Sequence, residues 1–361
     1  MTDKCRVKID LHALLENAFE IRKCIGDFFC VLKCDAYGHG LHRCAGELYK
    51  SGFDRFAVYS LKEAMRIRGN APESEILILG RTEPKHASVL AEHGLIQSVF
   101  SEEYARELVR TGERIRVHIK IDTGMNRCGF KCDGQGVKKS FLSFAGEVEG
   151  VYTHFYSADS RELSDTVYQL DKFQRCAKEL DSLFGRRLVK HAAASAGALR
   201  LKDARLDISR IGLALYGVSP DNCRNICKLK PVMSFSGTVI AVKSVKKGEN
   251  IGYGGDFLVK RDTVVATVSA GYANGLPRAV NQSFKPLVRG VRVPFLGRIC
   301  MDRCMLDVTE LALSGMSVSP YDEVCFFGQG LSVTELSDHE GTIPYEILVR
   351  VGKMNTKRFL K

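Results

Sequence analysis

Short apolar runs separated by polar loops recur along the first two thirds of the chain. The run at 28–32, Phe-Phe-Cys-Val-Leu, is apolar throughout and predicts a strand covered on both faces. Further β-rich runs stand at 56–60, 76–79, 97–100, 116–121, 148–155, 189–194 and 206–211. Between most of them the spacing turns helical, at 61–68, 84–92, 102–110, 166–184 and 196–201, and an amphipathic helix at 11–24 precedes the first run. Eight strands alternating with helices predict an α/β fold, a parallel sheet closed into a (β/α)8 barrel of the TIM type. After about residue 220 the long helical patterns stop. Strand-like runs bounded by glycine follow at 236–245, 263–269, 285–295, 305–309 and 323–327, with one short helix near 333–339. They predict a C-terminal mostly-β domain. The expected division is 1–225 for the barrel and 226–361 for the β domain. With no low-complexity linker near 222–230, the boundary is expected to be packed.

A chain of 361 residues suits two domains rather than one core. The formal charge of +11 is spread over scattered basic residues, with no arm or helix that interleaves them with aromatics. That pattern predicts solvated surface and argues against nucleic acid as a partner. No run approaches the roughly 18 apolar residues of a membrane span, and the first five residues carry no apolar signal region. A cytoplasmic protein without a membrane partner is expected. Four cysteine pairs, Cys30/Cys34, Cys128/Cys132, Cys223/Cys227 and Cys300/Cys304, share one spacing, and none forms the knuckles of a zinc ribbon. No metal is expected, and the thirteen cysteines are read as reduced thiols packing as small hydrophobes.

The candidate chemistry falls where strands end, which is where a barrel of this kind builds its site. Lys33 closes the first run. A lysine at the end of an inner strand is desolvated, which lowers its pKa, makes it nucleophilic and suits it to forming a Schiff base. A plain strand-end lysine reaching into water is the other reading. The glycines and Tyr37 that follow suit a backbone that approaches a ligand closely. Lys120 sits inside an apolar strand and so must be paired or modified, with Asp122 or another acid as one partner. His154 ends the 148–155 run. Ser195 places a hydroxyl at a strand-to-helix junction, where free N–H groups and the helix dipole attract phosphate. Arg210 lies at the end of the eighth strand. In the second domain Tyr253 stands between glycines.

Lys33 to Gly40, the segment 117–129 around Lys120 and Arg127, the segments ending in His154, Ser195 and Arg210, and those holding Tyr253, 270–278, 297–302 and 341–346 together resemble the alanine racemases. The resemblance runs from Val7 to about Tyr345. It implies a pyridoxal 5'-phosphate (PLP) enzyme that interconverts L- and D-alanine with two bases, supplying D-alanine for peptidoglycan. Lys33 then resembles the cofactor lysine and one base, and Tyr253 the second base, delivered by the partner subunit of a homodimer with shared active sites. Tyr37, Arg127, His154, Ser195, Arg210, Gly212, Leu213 and Tyr345 match cofactor-binding positions, and Arg127 and Met301 match substrate-binding positions. Lys120, Asp302 and Tyr272 match supporting positions, Lys120 resembling a lysine that is often carbamylated. Asp159 resembles a residue of the substrate corridor. Proton removal from one face of the α-carbon and delivery to the other calls for two groups on opposite faces. An arginine facing the pyridine nitrogen keeps its protons, so the ring stays a poorer electron sink and side reactions such as transamination are limited. The chain departs from the family pattern at Ala194, where asparagine is usual, and at Asn274, where aspartate is usual.

Two further racemase readings and two of other classes are weighed against this. A serine or broad-specificity racemase of the same family is one alternative; the serine racemases have a smaller polar residue where Tyr345 stands and a membrane-spanning region ahead. Tyr345 is bulky and leaves room for a methyl side chain, but a pocket rejects one added hydroxyl only weakly. A non-catalytic PLP-binding protein on the same barrel would not need the 226–361 domain with Tyr253. A basic amino-acid decarboxylase would need an acid where Arg210 stands.

Overall fold

The computed structural model describes residues 5–223, 226–280 and 283–360. Residues 1–4, read above as lacking a signal segment, and residues 224 and 225 at the expected boundary lie outside the described residues. The chain divides into two compact units. One comprises Leu14–Ala36 and Leu41–Leu229. The other comprises the residues up to Ala13, Tyr37–Gly40 and those from Lys230 onward.

The first unit is the expected (β/α)8 barrel. Its eight strands are Phe28–Val31, Arg55–Val58, Glu75–Ile78, Ile96–Val99, Arg116–Lys120, Glu147–Tyr152, Val189–His191 and Ser209–Ile211. They pair in parallel in chain order, except that Ser209–Ile211 lies beside Phe28–Val31. The remaining edge is closed by backbone bonds from Asp207 N–H to the Lys190 carbonyl at 3.1 Å and from Arg210 N–H to the Ala193 carbonyl at 3.0 Å. Both faces of the sheet are covered, so the strands are buried almost end to end and read as unbroken apolar runs. Helices that carry caps start sharply. Ser60 and Glu63 form a reciprocal capping box at the head of Leu61–Arg68. The helices Leu41–Lys50 and Gly134–Ser140 were not foreseen.

The second unit holds a mixed eight-stranded sheet organised on the long strand Met233–Val245. That strand pairs antiparallel with Arg6–Asp10, Thr263–Val268 and Glu323–Phe327. Phe235 of that strand packs against Phe326 and Phe327, with Phe295 stacked on Phe326 at 6.3 Å. The N-terminal strand therefore belongs with the C-terminal residues, and Lys357–Leu360 runs parallel beside it. The single run expected at 285–295 is folded into a hairpin, Leu287–Val288 against Val291–Arg292. Arg289 and Gly290, both at positive φ, form the two-residue turn that reverses the chain.

Tyr37–Gly40 is packed against the helix Pro344–Met354 of the same unit. A Cβ on Gly38 would lie 2.5 Å from the Leu348 carbonyl oxygen, and one on Gly352 would lie 2.1 Å from the Gly38 oxygen. The glycine after Tyr37 thus serves a close approach of backbone to helix, where the sequence suggested an approach to a ligand.

Candidate active site

In the barrel unit the chemistry-bearing side chains converge at the C-terminal ends of the strands. Lys33 stands two residues beyond Phe28–Val31 and begins an unusual turn. Cys34, Asp35, Ala36 and Tyr37 all have φ between 52° and 56°. Left-handed backbone costs an L-residue roughly 1–2 kcal/mol, so such a run persists only where its surroundings impose it. Ala36 N–H donates to the Leu32 carbonyl at 2.8 Å, and the Asp35 carboxylate accepts from Leu41 N–H at 3.0 Å and from Arg66 at 3.4 Å. Desolvation lowers the Lys33 pKa most; Arg127 and Arg210 add to the lowering, while Cys34 and Glu63 oppose it. The result favours the neutral, nucleophilic amine.

Arg210 is buried, and the fork of its guanidinium is almost fully used. Nη1 donates to His191 Nδ1 at 2.7 Å and to the His191 carbonyl at 3.0 Å. Nη2 donates to the carbonyls of Thr153 at 2.7 Å and Ala192 at 3.0 Å, and to His154 Nδ1 at 3.3 Å. The Nε–H alone has no acceptor among the described residues. Burial pushes the Arg210 pKa down to about 10, which leaves it cationic at neutral pH.

Because arginine only donates, these bonds fix the histidine tautomers. His191 must present a lone pair at Nδ1, so its proton is on Nε2 and is donated to His118 Nδ1 at 2.8 Å. His118 in turn carries its proton on Nε2. Its ring fits because residue 150, opposite it in register, is glycine: a Cβ there would stand 2.7 Å from the imidazole. Tyr152 stacks on His191 at 4.7 Å and 5° and bonds Ser98 through its hydroxyl at 2.5 Å. Burial, then Arg116 and Arg210, lowers the His118 pKa to about 3, and burial and Arg210 hold His191 and His154 well below the 6.5 of free histidine.

Neutral buried histidines make stability depend on pH in a definite direction. Below about pH 6.5 the unfolded chain binds protons that the folded chain refuses, so stability is full above that value and declines as pH falls toward the folded pKa. A urea titration at about pH 5.5 therefore gives a lower unfolding free energy than at about pH 7.5, by up to about 1.4 kcal/mol per pH unit for each histidine. The dependence is shallower in His118→Asn; an unchanged slope would remove His118 from the account.

Lys120 ends its strand buried, and its Nζ donates to Cys128 Sγ at 2.9 Å. Asp122, the partner considered from the sequence, is used otherwise. Its Oδ1 accepts the N–H groups of Gly124 and Asn126 at 3.0 and 3.1 Å and so shapes the loop that exposes Arg127. Ser195 Oγ accepts from Gly212 N–H at 3.2 Å and from Ala214 N–H at 3.4 Å, which gathers Ser195, Gly212 and Leu213 in one place. His118, Tyr152 and His191 were missed by sequence reasoning. For Tyr152 and His191 the one signal was register: with Lys120 they align across three adjacent strands as a polar row in an apolar barrel, whereas His118 faces Gly150.

In the C-terminal unit Tyr253 is 70 % exposed, held between Gly252 and Gly254, both at positive φ. It lines a cleft of about 670 Å³ with Cys300, Asp302 and Arg303. Tyr272 N–H and Ala273 N–H donate to the carbonyls of Cys300 and Met301, which ties the 271–274 turn to the exposed Met301 and Asp302. Tyr345 sits near the start of Pro344–Met354 with its ring 5.8 Å from that of Tyr37.

Comparison with known proteins decides the family. Residues 9–220 match the model of the alanine racemase N-terminal domain, and residues 232–359 match that of the alanine racemase C-terminal domain. The chain belongs to the alanine racemase family. This is a family of isomerases, and among its curated members alanine racemase 1 of Caldanaerobacter subterraneus is 36 % identical, over 96 % of this chain and 92 % of the relative. The biosynthetic alanine racemase of Pseudomonas aeruginosa superposes with a TM-score of 0.90 at 30 % identity, covering 99 % of this chain and 100 % of that structure. The alanine racemase of Bartonella henselae, solved with covalently bound pyridoxal phosphate, gives 0.91 at 26 % identity, covering 99 % of each chain. No described helix is long and apolar enough to cross a membrane.

Proposed function

We infer that this chain racemises alanine with pyridoxal 5'-phosphate, using Lys33 and Tyr253 as bases, and that it works in the cytoplasm as a homodimer. In this reading residues 226–361 lend Tyr253, Met301 and Asp302 to the partner's site.

The observation that carries the cofactor reading is the Arg210 fork. Four of its five N–H groups are held within the barrel, and the Nε–H remains for an acceptor such as an unprotonated pyridine nitrogen. The strand-end amine of Lys33 and the hydroxyl and backbone N–H groups around Ser195 and Gly212 supply the other contacts a phosphorylated pyridine aldehyde needs. The residues present therefore fit the group. Lys33, Tyr37, Arg127, His154, Ser195, Arg210, Gly212, Leu213 and Tyr345 would hold it. When bound, the cofactor draws electrons from the substrate α-carbon and so acidifies its proton.

The chain's own residues do the rest. Arg127, on the loop shaped by Asp122, meets the substrate carboxylate, and Lys120 with Cys128 secures the base of that loop. His191 and His118 keep the Arg210 guanidinium in one orientation, and their neutral state leaves its charge undivided. The Lys33 amine holds or releases a proton at Nζ on one face of the α-carbon, and the Tyr253 phenol does so at its hydroxyl on the other. Burial, with Arg127 and Arg210 adding to it, depresses Lys33 and keeps that amine able to accept.

Exchange of the α-proton in heavy water with added PLP, followed by chiral analysis on L-alanine, L-serine and L-lysine side by side, tests the function. Deuterated D-alanine should dominate. A serine or lysine preference would overturn alanine as the substrate, and absence of exchange with PLP bound would overturn the racemase reading.

A further inference from the structure

Thirteen cysteines punctuate the chain, and the cysteines of common spacing are not the ones that meet. Cys132 and Cys176 hydrogen-bond through their side chains, and a second close pair spans far more of the chain. Cys24, in the last turn of the helix Leu11–Ile25, and Cys227, in a bend outside any helix or strand, bring their Sγ atoms to 2.9 Å across 203 residues of sequence. That separation is nearer than two sulfurs rest in ordinary contact, and it leaves under an ångström to the roughly 2.05 Å of a disulfide. Both thiols are half-buried rather than sealed. Both lie in the barrel unit, and every barrel strand, from Phe28–Val31 to Ser209–Ile211, falls between them in the chain.

We propose that Cys24 and Cys227 are a reversible disulfide site that closes the whole barrel into one covalent loop. The oxidant is a small disulfide such as oxidised glutathione. The Cys24 sulfur, giving up its proton, attacks one glutathione sulfur, and the glutathione S–S bond breaks to release one glutathione thiolate. The Cys227 sulfur, giving up its proton, then attacks Cys24 Sγ and expels the second. Two protein thiols are oxidised, one glutathione disulfide is reduced to two thiols, and the two protons pass to the departing thiolates. Burial and the neighbouring sulfur push the Cys227 thiol up to about 12, which suits it to the second, intramolecular step, where Cys24 Sγ already stands 2.9 Å away. The consequence follows from loop length. A cross-link across most of the chain removes more freedom from the unfolded barrel than one across a short turn.

The full-length protein, reduced and freed of reductant, is titrated with oxidised glutathione without denaturant, then alkylated and mapped by mass spectrometry. A linked Cys24–Cys227 peptide should appear before any other. The non-reduced chain should migrate faster in denaturing gels, and the thermal midpoint should rise by roughly 5–10 °C. Dithiothreitol should reverse all three. Cys24→Ser and Cys227→Ser should each abolish the peptide and the rise while racemase activity stays at the wild-type level. Glutathione remaining on Cys24 would overturn the proposal, as would linkage of Cys132 to Cys176 alone. A linked peptide with no thermal shift would overturn the closing role. The wild-type map alone decides the pairing, whatever the variants do.

Discussion

Lys33→Ala loses racemase activity by about 10⁴-fold or more, and with it the visible absorbance of lysine-bound cofactor. The size of the effect comes from two roles in one amine. Lys33 is proposed both as the group that holds the cofactor covalently and as the base on one face of the substrate. Its neighbourhood suits both, since burial together with Arg127 and Arg210 lowers its pKa against the opposing Cys34 and Glu63. Lys33 leads into the left-handed run from Cys34 to Tyr37, which is held by the Ala36 N–H bond to the Leu32 carbonyl and by the Asp35 carboxylate accepting from Leu41 N–H. Alanine at 33 should therefore leave the fold intact, which circular dichroism checks. Borohydride reduction of the wild-type holoenzyme should place the cofactor mass on the peptide bearing Lys33. Cofactor mass on another lysine, or an absorbance band retained in Lys33→Ala, would end the assignment.

The parts of this arrangement that a reader of the sequence could see are those with short-range causes. Strands covered on both faces appear as unbroken apolar runs, so the barrel was legible, and polar residues that close such runs marked Lys33, His154 and Arg210. What stayed hidden has long-range causes. Arg6–Asp10 pairs with a strand some 230 residues later, Arg6 opposite Ser236, and nothing within its own five residues names that partner. His118 and His191 look like ordinary interior polar residues until the strand between them places Gly150 opposite His118, which leaves room for the two rings to meet. The turn after Lys33 contains no glycine or asparagine at its four positive-φ positions, so local propensity argued against it. The cysteines read from the sequence as small hydrophobes, and nothing in their spacing foretold that Cys24 and Cys227 would meet across 203 residues. Helix Pro344–Met354 was not expected from the sequence, although proline in a first turn starts a helix well.

Tyr253→Phe separates the two directions of the reaction. The variant keeps the ring that stands 70 % exposed between Gly252 and Gly254 and removes only the hydroxyl. Exchange of the α-proton starting from L-alanine should fall by about 10²–10⁴-fold, while exchange starting from D-alanine, served by Lys33, is retained. Equal losses from both enantiomers would count against a two-base assignment. The same variant tests whether the two bases come from different chains. When Lys33→Ala and Tyr253→Phe proteins are denatured together and refolded as mixed dimers, about half the dimers hold one chain of each kind. If Tyr253 serves the partner's site, one of the two sites in each mixed dimer has both an intact Lys33 and an intact Tyr253. Activity then returns to about a quarter of the wild-type level. If both bases come from one chain, every site in every mixed dimer lacks one of them, and mixing restores nothing. Two inactive proteins that regain activity on mixing would thus establish the dimer and the sharing of its sites in one measurement, since neither parent contains a complete pair of bases.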